Sequence, residues 1–469
     1  MVGENSEWEG VRPVDHLREL LAKQKAFFHE GKTRETPVRY ERLRLLRDAI
    51  RRYEPDIITA LRKDLNKSEY ETYLTELGVI YEEIKYVMKH LKTWTKPKRV
   101  KTPLMLFGSR SYICPEPYGV SLIISPWNYP FQLTVSPLIG AIAAGNCVVL
   151  KPSELAPHTA KVINQMLTGI FESEFVAVVE GGVETSSALL DLPFDHIFFT
   201  GSTRVGKIVM EKAARSLTPF TLELGGKSPV IVTEDAHIDL AARRLVWGKF
   251  INAGQTCVAP DFLYVHEKVK EALIIRMKTE ISRAFGENPL VNPNYTRIVN
   301  EQHFARLSGF LNDGKVIYGG QKDEEKLLIA PTLLDEVTWE MPVMQEEIFG
   351  PILPVFSYQE IDEVIQVIRE KPKPLALYLF TENRETGKKV IESVSFGGGA
   401  INDTLVHLAT PYLPFGGVGP SGIGSYHGKF SFDCFSHQKG IVKQSTKIDF
   451  PFRYHFSQSG LKLLKKMMK

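Results

Sequence analysis

The chain has 469 residues, of which 43% are hydrophobic and 24% charged, with a formal net charge of +3. That length suits two or three domains with large apolar cores, and the near-neutral balance leaves no basic field of the kind that gathers nucleic acid. Cys114, Cys147, Cys257 and Cys434 lie far apart with no CxxC pair, which argues against a zinc cluster or a dense disulfide frame and fits a reducing, cytoplasmic setting.

The first ten residues are polar and acidic and carry no apolar signal-peptide core. Residues 14–92 place Leu17, Leu20, Leu21, Phe27 and Phe28, then Leu43, Leu46 and Ile50, then Ile58, Leu61 and Leu65 at helical spacing, with both signs of charge on the other faces. This predicts a solvated helical layer. The basic run 96–101 reads as a connector, and 110–117 as a polar extended stretch. From 117 to 150 no residue is charged, a length that would allow a membrane helix. Pro126, Pro130, Pro137, Asn128 and Asn146 interrupt it, so it reads as strand, turn, helix and strand in a buried core.

Strands are expected at 120–124, 146–150, 175–179, 196–199 and 220–224, alternating with helices at 131–144, 156–170, 184–190 and 204–215. Such alternation predicts a parallel sheet wrapped by helices, which binds ligands at the carboxyl ends of its strands. A second α/β run follows, with strands at 230–233, 262–266 and 375–380 and helices at 238–250, 269–285 and 361–369. Residues 430–443 read as an extended arm and 461–469 as a basic, frayed end.

Two glycine loops imitate phosphate motifs. Residues 417–422 fit G-x-G-x-x-G, but Pro420 sits inside and no strand–helix context surrounds them, so a structural or substrate-side loop is expected. The 201–208 loop does follow a strand and open a helix, yet Ile208 stands where a P-loop needs the hydroxyl that ligates magnesium, which disfavours a nucleotidase. It remains suited to a metal-free pyrophosphate. After the strand ending at Leu150, Lys151 and Glu154 offer a donor and an acceptor to a ribose, or are ordinary surface charges. Cys257 lies in AGQTCVAP, bracketed by Gly254 and Pro260, so its backbone leaves regular structure and aims the sulfur; a catalytic thiol and a plain loop cysteine are both open. Asn128, between prolines, is an amide donor or a helix cap. Glu223, flanked by leucines, is a desolvated base or a paired acid. Glu347, in EEIFGP, presents an acid beside an aromatic face or belongs to a solvated acidic pair.

Together SPWNYP, KPSE, FFTGSTRVGK, LELGGKSP, AGQTC, EEIFGP and LPFGGVGPSG, in this order, resemble the signature segments of the aldehyde dehydrogenase superfamily. AGQTCVAP and GSYHGKFSFDCFSH look most like its class 3 branch of fatty and aromatic aldehyde dehydrogenases. The resemblance implies an α/β fold with a Rossmann-like cofactor domain (1–108 and 120–224), an α/β catalytic domain (225–428) and a small β oligomerisation arm (109–119 and 429–446). It implies NAD(P)-dependent oxidation of a medium- or long-chain aliphatic or aromatic aldehyde to the acid, with Cys257 as nucleophile, Asn128 as oxyanion donor and Glu223 as the base that activates water. Lys151 and Glu154 would hold the adenosine ribose, Gly201 and Ser202 the pyrophosphate, and Glu347 with Phe349 the nicotinamide riboside. NAD is expected to be preferred with NADP admissible, and a homodimer is expected. The branch can carry a hydrophobic carboxyl-terminal anchor; none is visible here, so a soluble form with no integral membrane segment is expected. Formation of an acyl-CoA or acyl phosphate, and a cofactor-free cysteine hydrolase, stand as alternatives, and Glu223 favours water as acceptor.

Overall fold

The computed structural model describes residues 13–449, 454 and 457–468; the polar stretch 1–10 and Lys469 lie outside these. A six-stranded sheet runs in the order Gly422–Ile423, Phe220–Glu223, His196–Thr200, Val120–Ile124, Cys147–Lys151, Val176–Val178. Every pairing is parallel except that of the edge strand Gly422–Ile423. The strand first in sequence, Val120–Ile124, sits in the middle, and the winding reverses beside it. A doubly wound sheet of this kind opens a crevice at the carboxyl ends of its strands. Val120–Ile124 and Cys147–Lys151 are buried at every residue, as covered strands must be. The helix Gln132–Ala144 is apolar all round and wholly buried, which is where the charge-free run of the sequence goes. No helix among the described residues is long and apolar enough to cross a membrane.

A seven-stranded sheet follows, ordered Lys315–Tyr318, Thr332–Asp335, Ile352–Tyr358, Phe262–His266, Pro229–Val232, Ala376–Phe380, Gly398–Ile401 and parallel apart from Lys315–Tyr318. A third, antiparallel sheet joins Lys98–Val100, Arg110–Pro117 and Ser436–Lys443.

Three expectations need correction. The run 96–101 is not only a connector, because Lys98–Val100 pairs with Arg110–Pro117. The arm does not begin at 430: Lys429–Cys434 is a helix, drawn inward by Phe432 and Phe435, which are buried. It packs so closely on the Gln132–Ala144 helix that a Cβ on Gly140 would stand 2.8 Å from the Ser431 Cβ. The amino-terminal helical layer, in Pro13–His29, Thr36–Leu65 and Gly78–Trp94, is not simply solvated. Arg39, Asp64, Lys67, Glu76 and Glu83 are buried within it, and a π-helical turn, Tyr73–Leu77, interrupts it. The Gln458–Met467 helix ends the described chain with Lys462, Lys465 and Lys466 exposed.

Candidate active site

Residues that follow strands of the first sheet meet residues that precede strands of the second. Asn128 comes just after Val120–Ile124, and Glu223 ends its own strand; Cys257 precedes Phe262–His266, and Glu347 precedes Ile352–Tyr358.

The position of Cys257 is set by a break in the backbone. The helix Ile238–Phe250 stops, and Asn252, Ala253 and Gly254 take φ of +52°, +51° and +73° in succession. Only glycine tolerates the third step, because a Cβ on Gly254 would run into the Gly350 carbonyl. The buried Gln255 then anchors the turn: its Nε2 donates to the Asn252 and Arg297 carbonyls at 3.1 and 3.0 Å, and its Oε1 accepts from the Val299 N–H at 3.0 Å. The Tyr378 hydroxyl donates to the Val258 carbonyl at 2.7 Å on the far side of the thiol. Cys257 itself is half-buried. It is therefore an aimed thiol.

Asn128 is buried, and its Nδ2 donates to the Gln255 carbonyl at 3.0 Å. It does not cap the Gln132–Ala144 helix, whose cap position is Phe131. A primary amide has two N–H groups, and the Gln255 carbonyl takes one of them.

Glu223 is buried, and neither of its side-chain oxygens meets a hydrogen-bond partner among the described residues. It is not a paired acid. Burial alone holds its carboxyl well above the usual range. The Cys257 thiol is pushed up to about 12, first by burial and then by Glu347 and Glu223; the Cys257 and Val258 backbone N–H groups act the other way. Glu347 is pushed up to about 8, by burial first and then by Asp261. Its carboxylate lies against Gly225, where a Cβ would overlap it. Phe349, at φ +51°, meets Trp127 edge-on at 5.4 Å. Both acids thus act on the thiol, and the Asn128 amide is bonded two residues before it, at Gln255.

The other predicted residues line the first sheet's crevice. Lys151 is buried and its Nζ lies 2.6 Å from Glu154 Oε2, while Glu154 stays exposed. The Gly201 N–H donates to the Glu223 carbonyl at 3.0 Å. Ser202 opens the Thr203–Arg215 helix and its Oγ accepts from the Val205 N–H at 3.4 Å. The decoy loop 417–422 is structural: Leu224 N–H donates to the Ser421 carbonyl at 3.1 Å and Gly422 pairs with Glu223.

Lys67, Glu76 and Asn252 were not singled out by the sequence. Glu76 carried a legible signal, since it stands one turn before Ile80 and two before Ile84 on the buried face of its helix.

The first sheet is doubly wound, with Glu223 at the end of one of its strands, and residues 14–441 match the model of the aldehyde dehydrogenase family. The chain belongs to that family and is an aldehyde dehydrogenase. It is 53% identical to 4,4'-diaponeurosporen-aldehyde dehydrogenase of Staphylococcus aureus over 91% of this chain and 93% of that one. It is 45% identical to aldehyde dehydrogenase family 3 member H1 of Arabidopsis thaliana over 96% and 94%, so it falls with the class 3 branch. The structure described as the substrate-bound state of Staphylococcus aureus AldH superposes with a TM-score of 0.95 at 50% identity, covering 97% of this chain and 99% of that one.

Proposed function

We propose that the chain oxidises a medium- or long-chain aliphatic or aromatic aldehyde to its carboxylic acid with NAD, NADP being admissible, through a covalent acyl-Cys257. The observation that carries this reading is that Glu223 and Glu347 both act on the Cys257 thiol while the Asn128 amide bonds the turn that bears it. The family 3 relatives support the substrate class.

The residues present fit a dinucleotide. Lys151 and Glu154 would take the adenosine ribose, Gly201, Ser202 and the amino end of Thr203–Arg215 the pyrophosphate, and Glu347 with Phe349 the nicotinamide riboside. Because Ser202 Oγ faces its own helix, backbone N–H groups of the first turn carry much of the pyrophosphate contact. When bound, the dinucleotide supplies the hydride acceptor.

The protein groups do the rest. Cys257 Sγ adds to the carbonyl carbon. The spare Asn128 N–H and the Cys257 backbone N–H receive the oxygen as it becomes an oxyanion; one such donor is worth on the order of 10²–10³ in rate. Once the acyl group is a thioester, Glu223 takes a proton from water, which attacks the acyl carbon and frees the thiol. Glu223 must shed its own proton first, and burial makes it a strong base when it has done so.

The first sheet with the helical layer is the dinucleotide-binding domain, the second sheet the catalytic domain, and the third sheet the arm. Its outer strand Ser436–Lys443 leaves Ile441 and Val442 exposed, and an open edge of this kind invites pairing with a second copy. Sedimentation at micromolar concentration is expected to show a homodimer, and a monomer there would remove this part of the reading. All four cysteines are free, in keeping with a reducing cytoplasm.

The test is a panel of aliphatic and aromatic aldehydes with each cofactor, followed at the NADH band. An ionised Glu154 accepts from ribose hydroxyls and repels a 2′-phosphate, so kcat/KM is expected to favour NAD. A clear NADP preference would count against the role of Glu154, and silence across the panel would defeat the oxidation itself.

A further inference from the structure

A lysine from the connection after the Thr36–Leu65 helix and a glutamate from the π-helical turn meet with no solvent access beneath the Asn128 loop. Lys67 Nζ lies 2.6 Å from Glu76 Oε1, and both side chains are fully buried. Burying an ion pair costs more desolvation than the pair's attraction commonly returns, so this pair is a poor device for stability alone. Its remaining bonds all go to one place. Lys67 Nζ donates to the Asn128 carbonyl at 3.2 Å and stands 4.2 Å from the centroid of the Tyr129 ring. Glu76 Oε2 accepts from the Phe131 and Gln132 N–H groups at 2.9 and 3.0 Å. The pair therefore grips residues 128, 129, 131 and 132, the whole passage from strand to helix.

The opposite side of the same loop is tied to the cysteine turn. Asn252 Nδ2 donates to the Asn128 carbonyl at 2.9 Å and to the Gln255 carbonyl at 3.1 Å, while Asn128 Nδ2 donates to Gln255. Tyr129 and Thr256 share a hydroxyl bond at 2.6 Å. Glu71, in the short helix Glu69–Thr72 between Lys67 and Glu76, accepts from the Asn252 N–H at 2.8 Å. The π-helical turn Tyr73–Leu77 contains Glu76, and such bulges re-aim side chains at functional sites.

We propose that Lys67 and Glu76 are positioning residues for the oxidation: they fix the Asn128 backbone so that its amide stays at the place where the carbonyl oxygen of the aldehyde gathers charge. This rests on the oxyanion role given to Asn128 above. Neither residue touches the aldehyde, and both act through the Asn128 loop. Misplacing a reacting group by about 1 Å costs on the order of 10²-fold.

The experiment is a double-mutant cycle on the full-length enzyme. Lys67→Met leaves Glu76 buried and unpaired, so Lys67→Met/Glu76→Gln, which removes both charges, is made beside it. Each is combined with Asn128→Ala, and the pre-steady-state rate of NADH formation, the rate of thioester hydrolysis and the Kd of NAD are measured. The expected result is a burst rate lowered by about ten- to a hundredfold, with NAD Kd unchanged, hydrolysis slowed as well because the same donors receive its oxyanion, and no further loss when the change is made in Asn128→Ala. A full extra loss in that background would overturn the inference while leaving the oxyanion role standing. A normal burst in Asn128→Ala would remove both. Should neither Lys67 variant fold, Glu76→Gln alone, which loosens the grip on the Phe131 and Gln132 N–H groups, carries the cycle, with the same outcomes deciding.

Discussion

Cys257→Ala is expected to lower aldehyde oxidation by on the order of 10⁴-fold or more, the scale of deleting a covalent nucleophile, with the affinity for NAD retained. The two halves of this expectation come from different parts of the fold. The thiol stands on a turn before the Phe262–His266 strand, held by Gln255 and Tyr378. Four of the six proposed dinucleotide contacts, Lys151, Glu154, Gly201 and Ser202, stand at the ends of strands of the other sheet. Removing one half-buried sulfur leaves those anchors in place, so the loss of folding stability is expected to be about 1 kcal/mol or less. Steady-state oxidation and NAD titration, run on one preparation, check both halves. Oxidation within tenfold of the unchanged enzyme would take the nucleophile away from Cys257.

The parts of this site that were legible in the sequence are those whose chemistry is local. Gly254 and Pro260 around Cys257 announced a broken backbone, and the backbone breaks there, through three left-handed residues. Glu223 between leucines announced burial, and it is buried without a partner. Strand and helix periods located the first sheet, because covered parallel strands read as unbroken apolar runs. The second sheet was harder to see. Gly398–Ile401 begins Gly-Gly-Ala, Ile352–Tyr358 contains Pro354, and Thr332–Asp335 is short, so tertiary pairing supplies what local preference lacks. Lys67 and Glu83 were illegible for a different reason. A lysine or glutamate among charges of both signs reads as solvated unless its partner is known, and the partners here arrive from other elements. The Asn128 loop of Lys67 lies 61 residues onward, and the Gly428 N–H that donates to Glu83 lies 345 residues onward. The helix at Lys429–Cys434 was misread as extended for a related reason, since Phe432 and the Phe435 that follows it have meaning only against Trp94 and Gly140, far back in the chain.

Glu223→Gln is expected to stall the enzyme after oxidation, leaving one acyl group on Cys257. Gln keeps the size of the side chain and cannot accept a proton from water, so the step that fails is thioester hydrolysis, for which a positioned base is worth about 10²–10⁴-fold. A single burst of NADH followed by slow turnover is expected, with the intact mass raised by the acyl group of the aldehyde supplied. The same variant makes a prediction about folding that requires no substrate. Burial raises the folded-state pKa of Glu223 well above that of an ordinary carboxyl. A carboxyl raised in this way stabilises the fold only below its unfolded pKa, and that contribution is lost as pH rises toward the folded one. Gln carries no such proton. The Tm of Glu223→Gln should therefore match or exceed that of the unchanged protein near neutrality, with the gap widening as pH rises from about 5 to 8. A variant that melts lower across this window would mean that the carboxylate has a partner in the folded enzyme. Lost turnover with neither burst nor adduct would place Glu223 before the thioester rather than after it, and the order of steps proposed here would have to be changed.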